Sequence, residues 1–563
     1  MKKNKHIIYQ TIPRLFGNYN RNLVKNGNME DNGCGKFDSY TKDALEAIRE
    51  LGATHIWYTG VIAHSTCTDY SKYRINRDHN AIVKGKAGSP YSIRDYYDVD
   101  PDLARDVPGR MREFESLISR THDAGLDAII DFVPNHVARS YRSKMKPPYV
   151  EDLGQHDRTD LSFSSMNNFY YLPGQNLGLH FGAQEEDFEY SEFPARATGN
   201  DCFSATPCKN DWYETIKLNY GVDYYNGRTQ HFDPIPDTWK KMLDILLYWV
   251  DKDVDGFRCD MAEMVPVEFW NWVIPRVKSR KKVAFIAEVY NPSLYRDFIR
   301  TGHFDYLYDK VGIYDTLRNI ICFKSPATEI TARWQAVEDV KDSLLFFLEN
   351  HDEQRIASDF FAGDASAGIP GLAFIATLGG NPLMIYNGQE VGERGMDDEG
   401  FSGRDGRTTI FDYWSMDSIR RWANNGKFDG GQLTDEQRLV RESYKKLLNI
   451  AKSEKALAQG SFYDLSYCNR ENRNFHAERM TAYMRKYENE LVVILINFDR
   501  ENHYCRVNIP KHAFDVMQIP ENAVSRVREL ISGKESICSL TFACPYEDTL
   551  SARSAKILKF SYI

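Results

Sequence analysis

The chain lacks any run approaching the ~20 uninterrupted apolar residues that cross a bilayer. Its basic start, MKKNKHIIYQTIPRLFGN, also lacks the apolar stretch of about 7–15 residues that a secretion signal requires. The expectation is a soluble chain, cytoplasmic as it stands, and secreted only if a leader has been removed. Clustered basic residues are missing too: 71 Lys and Arg face 80 Asp and Glu, for a net charge of −9. Nucleic acid and anionic membranes need clustered cations to displace counterions, so neither is an expected partner. The ten cysteines include no CxxC pair, which argues against zinc and suits the scattered thiols of a reducing compartment. Cys202 and Cys208 can pair in an oxidising one. There is no internal repeat and no low-complexity tract. Aromatic residues, by contrast, are plentiful at 13%; most serve a core, and surplus Tyr and Trp suit stacking on sugar rings.

At 563 residues the chain exceeds what one hydrophobic core usually organises, so several domains are expected, one of them large. Short apolar segments alternate with longer stretches whose apolar residues recur at three and four, the pattern of β/α units around a parallel sheet. The strand-like segments are HIIYQTI (6–12), THIWYTG (54–60), DAIIDFVP (127–134), VDGFRCD (254–260), AFIAEVY (284–290), DYLYDKV (305–311), SLLFFLEN (343–350) and NPLMIYNG (381–388). Helical periodicity fills 110–125, 238–252, 267–279 and 435–454 between and after them. Eight such units predict an α/β fold, a (β/α)8 TIM barrel in two parts, 1–137 and 229–455. The stretch between, 138–228, is rich in Gly, Asn, Tyr and Phe and too long for an ordinary loop, so it is read as a subdomain inserted after strand three. Beyond the last helix the texture changes. TAYMRKYENELVVILINFD (481–499) reads as a hairpin, and RVNIP and KILKFSY as short strands, so 456–563 is expected to be a C-terminal antiparallel β-sandwich domain.

In such a barrel chemistry gathers where the strands end. Strand three ends in Asp131, Asn135 and His136, strand four in Arg258 and Asp260, strand five in Glu288, and strand seven in Asn350, His351 and Asp352. Arg258 and Asp260, two apart, share a face. An arginine beside a carboxylate favours its ionised form, as a nucleophile requires. Glu288 lies in the apolar setting FIAEVY, where burial and neighbouring negative charge suit a general acid. One ionised and one protonated carboxyl about 5–5.5 Å apart is the arrangement of a retaining glycosidase. A lone rim Asp is more often a helix cap or an ion-pair partner. Asp260, Glu288 and Asp352, with His136, His351 and Arg258, come from four strands and together point to catalysis.

These residues resemble the α-amylase family, glycoside hydrolase family 13: DFVPNH its first conserved region, DGFRCDMA its second, IAEV its third and FLENHD its fourth, in order and in register. The resemblance implies Asp260 as nucleophile, Glu288 as acid/base and Asp352 as transition-state stabiliser, with Arg258 orienting Asp260 and with His136 and His351 binding sugar hydroxyls. SPYSIRDYYDVDP (89–101) is similar to the family's segment after strand two, which implies Tyr91 as a stacking platform. The implied activity is retaining hydrolysis of α-1,4-glucosidic bonds in starch fragments or maltooligosaccharides by double displacement. Its rivals are a transglycosylase or sugar isomerase on the same site, and a barrel that binds glucan or a partner without catalysis.

Two departures from the resemblance stand out. Many amylases carry Lys-His after the second region, whereas here the residues are Glu263 and Met264. IKLNYG (216–221), similar to the family's fifth region, places Lys217 where an aspartate helps Asn135 bind calcium in many amylases, and a lysine there would repel the ion. No cofactor is expected for the chemistry. A structural calcium is expected instead at NGNMEDN, on Asn26, Asn28, Asp31 and Asn32, which resemble an oxygen-rich calcium loop after strand one. Read simply as residues, such Asn and Gly clusters are turns.

Overall fold

Residues 5–181 and 190–562 are described here, from a computed structural model. Residues 182–189, inside the expected insertion, lie outside the described residues.

The eight expected strands form one parallel sheet. They are β1 (Ile7–Thr11), β2 (His55–Tyr58), β3 (Asp127–Phe132), β4 (Gly256–Cys259), β5 (Ala284–Ala287), β6 (Tyr306–Tyr308), β7 (Leu344–Leu345) and β8 (Leu383–Tyr386). Each pairs with its neighbour in numerical order, β1 also pairs with β8, and a parallel bridge from Phe346 to Leu383 brings the seventh strand to the eighth. The ring is a (β/α)8 barrel.

Strand alternation sorts the side chains. Ile8, Trp57, Ile129, Ile286, Leu345 and Met384 fill the barrel interior, while Phe257, Cys259, Ile130 and Phe132 face the surrounding helices. In β4 the inward residues are Gly256, then Arg258; the register sets Arg258 beside Asp131 of β3 and Ile286 of β5. A cation therefore sits at the top of an apolar barrel, one layer above Ile129.

The helices follow the predicted periodicity: Arg110–Asp123, Asp237–Val250, Val267–Arg280 and Asp435–Ser453. The last is closed at its start by Thr434 and Gln437, whose side chains satisfy each other's backbone N–H groups. Between β3 and the helix at Asp237 the chain makes only short two-stranded ladders among the described residues. One of them, His136–Ala138 with Thr215–Lys217, ties the insertion to the barrel mouth.

After the barrel, an antiparallel six-stranded sheet and a separate two-stranded ladder enclose their own apolar core around Leu465, Met480, Leu495 and Phe560. Buried Arg485 fastens this sheet to the barrel by donating to the carbonyls of Leu378, Ala456 and Leu457. No helix among the described residues is long and apolar enough to cross a membrane.

Candidate active site

The ends of β3, β4 and β5 and the loop after β7 converge on one mouth. Asp260, Glu288, Asp352, Tyr91 and His136 line a cavity of about 350 Å³ there. Arg258 and His351 do not line it; both lie directly behind, fully enclosed, and act on the residues that do.

Arg258 organises the floor. One guanidinium nitrogen donates to Asp260 Oδ1 at 2.7 Å and stands 3.5 Å from Asp131 Oδ1. The other is 2.9 Å from Glu288 Oε2, an ion pair without hydrogen-bond alignment. Nε donates to the Tyr308 hydroxyl at 3.2 Å, and the group lies 5.3–5.4 Å from the ring centres of Trp57, Tyr91 and Tyr308. A single buried cation thus joins carboxylates from three strands, with aromatic faces completing its surroundings. Asp260 Oδ2, the other oxygen of that carboxyl, is buried and has no partner.

One positive charge does not compensate four acids. Burial pushes Asp260 well above the usual carboxylate range; Arg258 opposes this, and Glu288 and Asp131 add to it. Asp131 rises to about 6, also by burial against Arg258. Asp352 is raised to about 7 by burial and then by Glu288. Its side chain is 39% exposed to the cleft, so water screening moderates that rise. The expected division, with Asp260 ionised by its arginine, is therefore opposed: burial pushes the carboxyl up more than Arg258 draws it down.

The two histidines are neutral. His136 falls to about 3 through burial and then the charges of Lys217 and Lys84. His351 falls well below its ordinary value through burial and then Arg258. Gln10 Nε2 lies 2.7 Å from His351 Nδ1, and the Tyr91 hydroxyl lies 2.5 Å from Nε2. The Gln10 amide assigns the ring proton to Nε2. Tyr91 and His351 rings lie nearly parallel, 5.3 Å apart, which fixes the Tyr91 face beside Asp352.

Several cavity residues escaped the sequence reading. Trp212 stands 5.2 Å from the His136 ring. Lys84 and Glu214 form a 2.9 Å ion pair in the cavity wall, and Glu214 Oε2 has no hydrogen-bond partner. Trp212 and Glu214 precede the Thr215–Lys217 strand, and only the ladder between His136–Ala138 and Thr215–Lys217 carries them to the rim. Tyr290 was legible in principle, since it lies two residues beyond Glu288 and so shares its face.

The departures from the family pattern acquire partners. Glu263 Oε2 accepts the backbone N–H groups of Tyr290 and Asn291. Lys217 Nζ donates to Asn135 Oδ1 at 2.5 Å and pairs with Asp201 Oδ1 at 2.7 Å. An ammonium thus occupies the space between these oxygens, and they do not suit a divalent cation. The Asn26, Asn28, Asp31 and Asn32 set does not suit one either. Asn28 Oδ1 caps the N–H groups of Glu30 and Asp31, Asp31 Oδ2 accepts Asn28 N–H, and Asn32 Oδ1 accepts Val24 N–H while its amide donates to the carbonyls of Val24 and Tyr413. The backbone N–H of Asn26 donates to the carbonyl of Glu399. These oxygens already close a helix start and a turn, as a capping box does.

The model of the α-amylase catalytic domain matches residues 25–283. Alpha-amylase MalA of Haloarcula japonica is 25% identical over 479 residues, covering 83% of this chain and 53% of its own length, so the chain spans about half of that relative. Alpha-amylase 3 of Dictyoglomus thermophilum is 25% identical over 476 residues, covering 79% of this chain and 81% of that protein. The crystal structure of a noncanonic maltogenic α-amylase, AmyB from Thermotoga neapolitana, superposes with a TM-score of 0.62 at 20% identity, over 99% of both chains, which supports the fold. Residues 25–283 belong to the α-amylase catalytic-domain family.

Proposed function

We propose that the protein is a retaining glycosidase that cleaves α-1,4-glucosidic bonds in starch fragments or maltooligosaccharides. The observation that carries this is Arg258 joining Asp260 and Glu288, both of which line the cavity, while Asp260 Oδ2 carries no hydrogen bond. That oxygen attacks the anomeric carbon as Glu288 protonates the departing oxygen; the glycosyl ester is then opened by water, which Glu288 deprotonates. An oxocarbenium-like transition state is positive, so the charge it develops favours the ionised form of Asp260 and of Asp352 beside it. Tyr91 supplies the stacking face, neutral His136 lines the cleft and supplies a directional hydrogen bond, and His351 holds Tyr91 from behind. The test is a product time course on soluble starch, pullulan and maltoheptaose. Shorter maltooligosaccharides with retained α-configuration are expected; products longer than maltoheptaose indicate transfer to a sugar acceptor, and no new reducing ends overturns catalysis.

No metal is proposed for the chemistry, and neither oxygen set described above supports a structural calcium. EDTA is expected to leave the melting temperature unchanged, whereas a fall reversed by calcium overturns this. Lys217→Met leaves Asn135 without its donor and Asp201 with only the more distant Arg228, and is expected to cost about 2–4 kcal/mol in denaturant unfolding. Ten free cysteines support a reducing compartment, the cytoplasm, and a thiol titration of the denatured protein should find all ten.

A further inference from the structure

Glu263, the acidic residue that departs from the family pattern, makes its contacts with backbone. Its Oε2 accepts the N–H of Tyr290 at 3.1 Å and of Asn291 at 3.0 Å, which fixes the turn leaving β5. That turn directs the Tyr290 phenol back onto Glu288, where the hydroxyl donates to Oε1 at 2.6 Å. Met261 N–H donates to the other oxygen, Oε2, at 2.7 Å. Tyr290 itself lines the cavity. Burial, and then the charge of Glu288, hold its phenol well above the ordinary range, so it stays a donor at every working pH.

The two oxygens of Glu288 are therefore unequal. Oε2 faces Arg258 at 2.9 Å and a backbone N–H, neither of which can accept a proton. Oε1 meets only a hydroxyl, which can donate to it when it is bare and accept from it when it is protonated. The other charged or titratable groups facing Glu288 are Asp131 from β3, Asp260 after β4, Tyr308 from β6 and Asp352 after β7.

We propose that Tyr290 is a positioning residue that selects Oε1 as the proton-carrying oxygen of Glu288 and supports the bare carboxylate between the two steps, and that Glu263 holds Tyr290 in place. This rests on the reading of Glu288 as acid/base. In the first step the Oε1–H bond breaks and the proton passes to the glycosidic oxygen, as the C1–O bond breaks and the Oδ2–C1 bond forms. In the second, water gives a proton to Oε1 while its oxygen bonds C1 and the ester bond to Asp260 breaks. Tyr290 donates to Oε1 throughout the interval between them.

The experiment compares kcat/KM for maltoheptaose, whose leaving group needs a proton, with that for α-maltosyl fluoride, whose leaving group does not. Tyr290→Phe is expected to lose about 10-fold on maltoheptaose and little on the fluoride. The alkaline limb of its pH profile is expected to move up by about one unit, because a donor to the charged form is gone. Glu263→Ala should reproduce the effect, and Glu263→Gln, which can still accept both N–H groups, should restore the parent's ratio. Equal losses on both substrates, or an unmoved alkaline limb, overturn the proposal. Glu288→Gln keeps the two readings apart. If it loses maltoheptaose activity and spares the fluoride, the acid/base role stands whatever Tyr290 does; if it affects both alike, that role itself fails.

Discussion

Replacing Asp260 with Asn is expected to lower kcat on maltoheptaose by roughly 10⁴–10⁶-fold while the protein melts at the same or a higher temperature. In the proposed reaction the attacking atom is Oδ2, and an amide nitrogen or amide oxygen there does not form the glycosyl ester. The fold is spared because Asn keeps an oxygen to accept from the Arg258 nitrogen now 2.7 Å from Oδ1. Stability gains because the substitution removes a buried acid whose charge burial disfavours. Initial rates on maltoheptaose and a thermal melt check both halves. Near-parental turnover would remove Asp260 from the mechanism, and a collapsed fold would mean that the carboxylate is structural.

Arg258→Met is expected to be costly twice, with activity falling by at least 10³-fold and stability at neutral pH by about 3–5 kcal/mol. Methionine fills much of the volume but leaves Asp131, Asp260 and Glu288 without the one cation they share. The pH dependence follows from the direction of the shifts. Asp131 and Asp260 are raised in the folded protein, so their contribution to stability is fully present below the unfolded carboxylate range near pH 4. It is lost as pH rises through their folded values, about 6 for Asp131. Removing the arginine raises those values further and steepens the loss. The deficit between variant and parent is therefore expected to be small at pH 4.5 and large at pH 8, measured as the difference in unfolding free energy from urea titrations. A deficit independent of pH would mean that packing against Trp57, Tyr91 and Tyr308, rather than charge, is what Arg258 supplies.

The two tests read different properties of one feature. Desolvation lifts the acids, the guanidinium lowers them, and for Asp260 burial is the larger of the two influences. Substrate changes that balance by bringing developing positive charge to Oδ2. An arginine that joined only Asp260 would orient one carboxyl; this one also stands 2.9 Å from Glu288 and so ties the positions of both.

The barrel was legible in the residues alone, because strand and helix periodicities are local: DAIIDFVP and VDGFRCD declare their inward and outward faces without reference to anything distant. Legible too were the residues that stand at the rim, since position along a strand decides which end a side chain occupies. How those groups interact depends on the folded arrangement. That Arg258 serves three acids, that Lys217 meets Asp201, that Glu263 holds a turn and that Trp212 reaches the cleft all depend on segments brought together across many residues. The proton distribution was decided there too, because desolvation depends on the whole enclosure around a group, while its immediate neighbours in sequence show only the charge beside it.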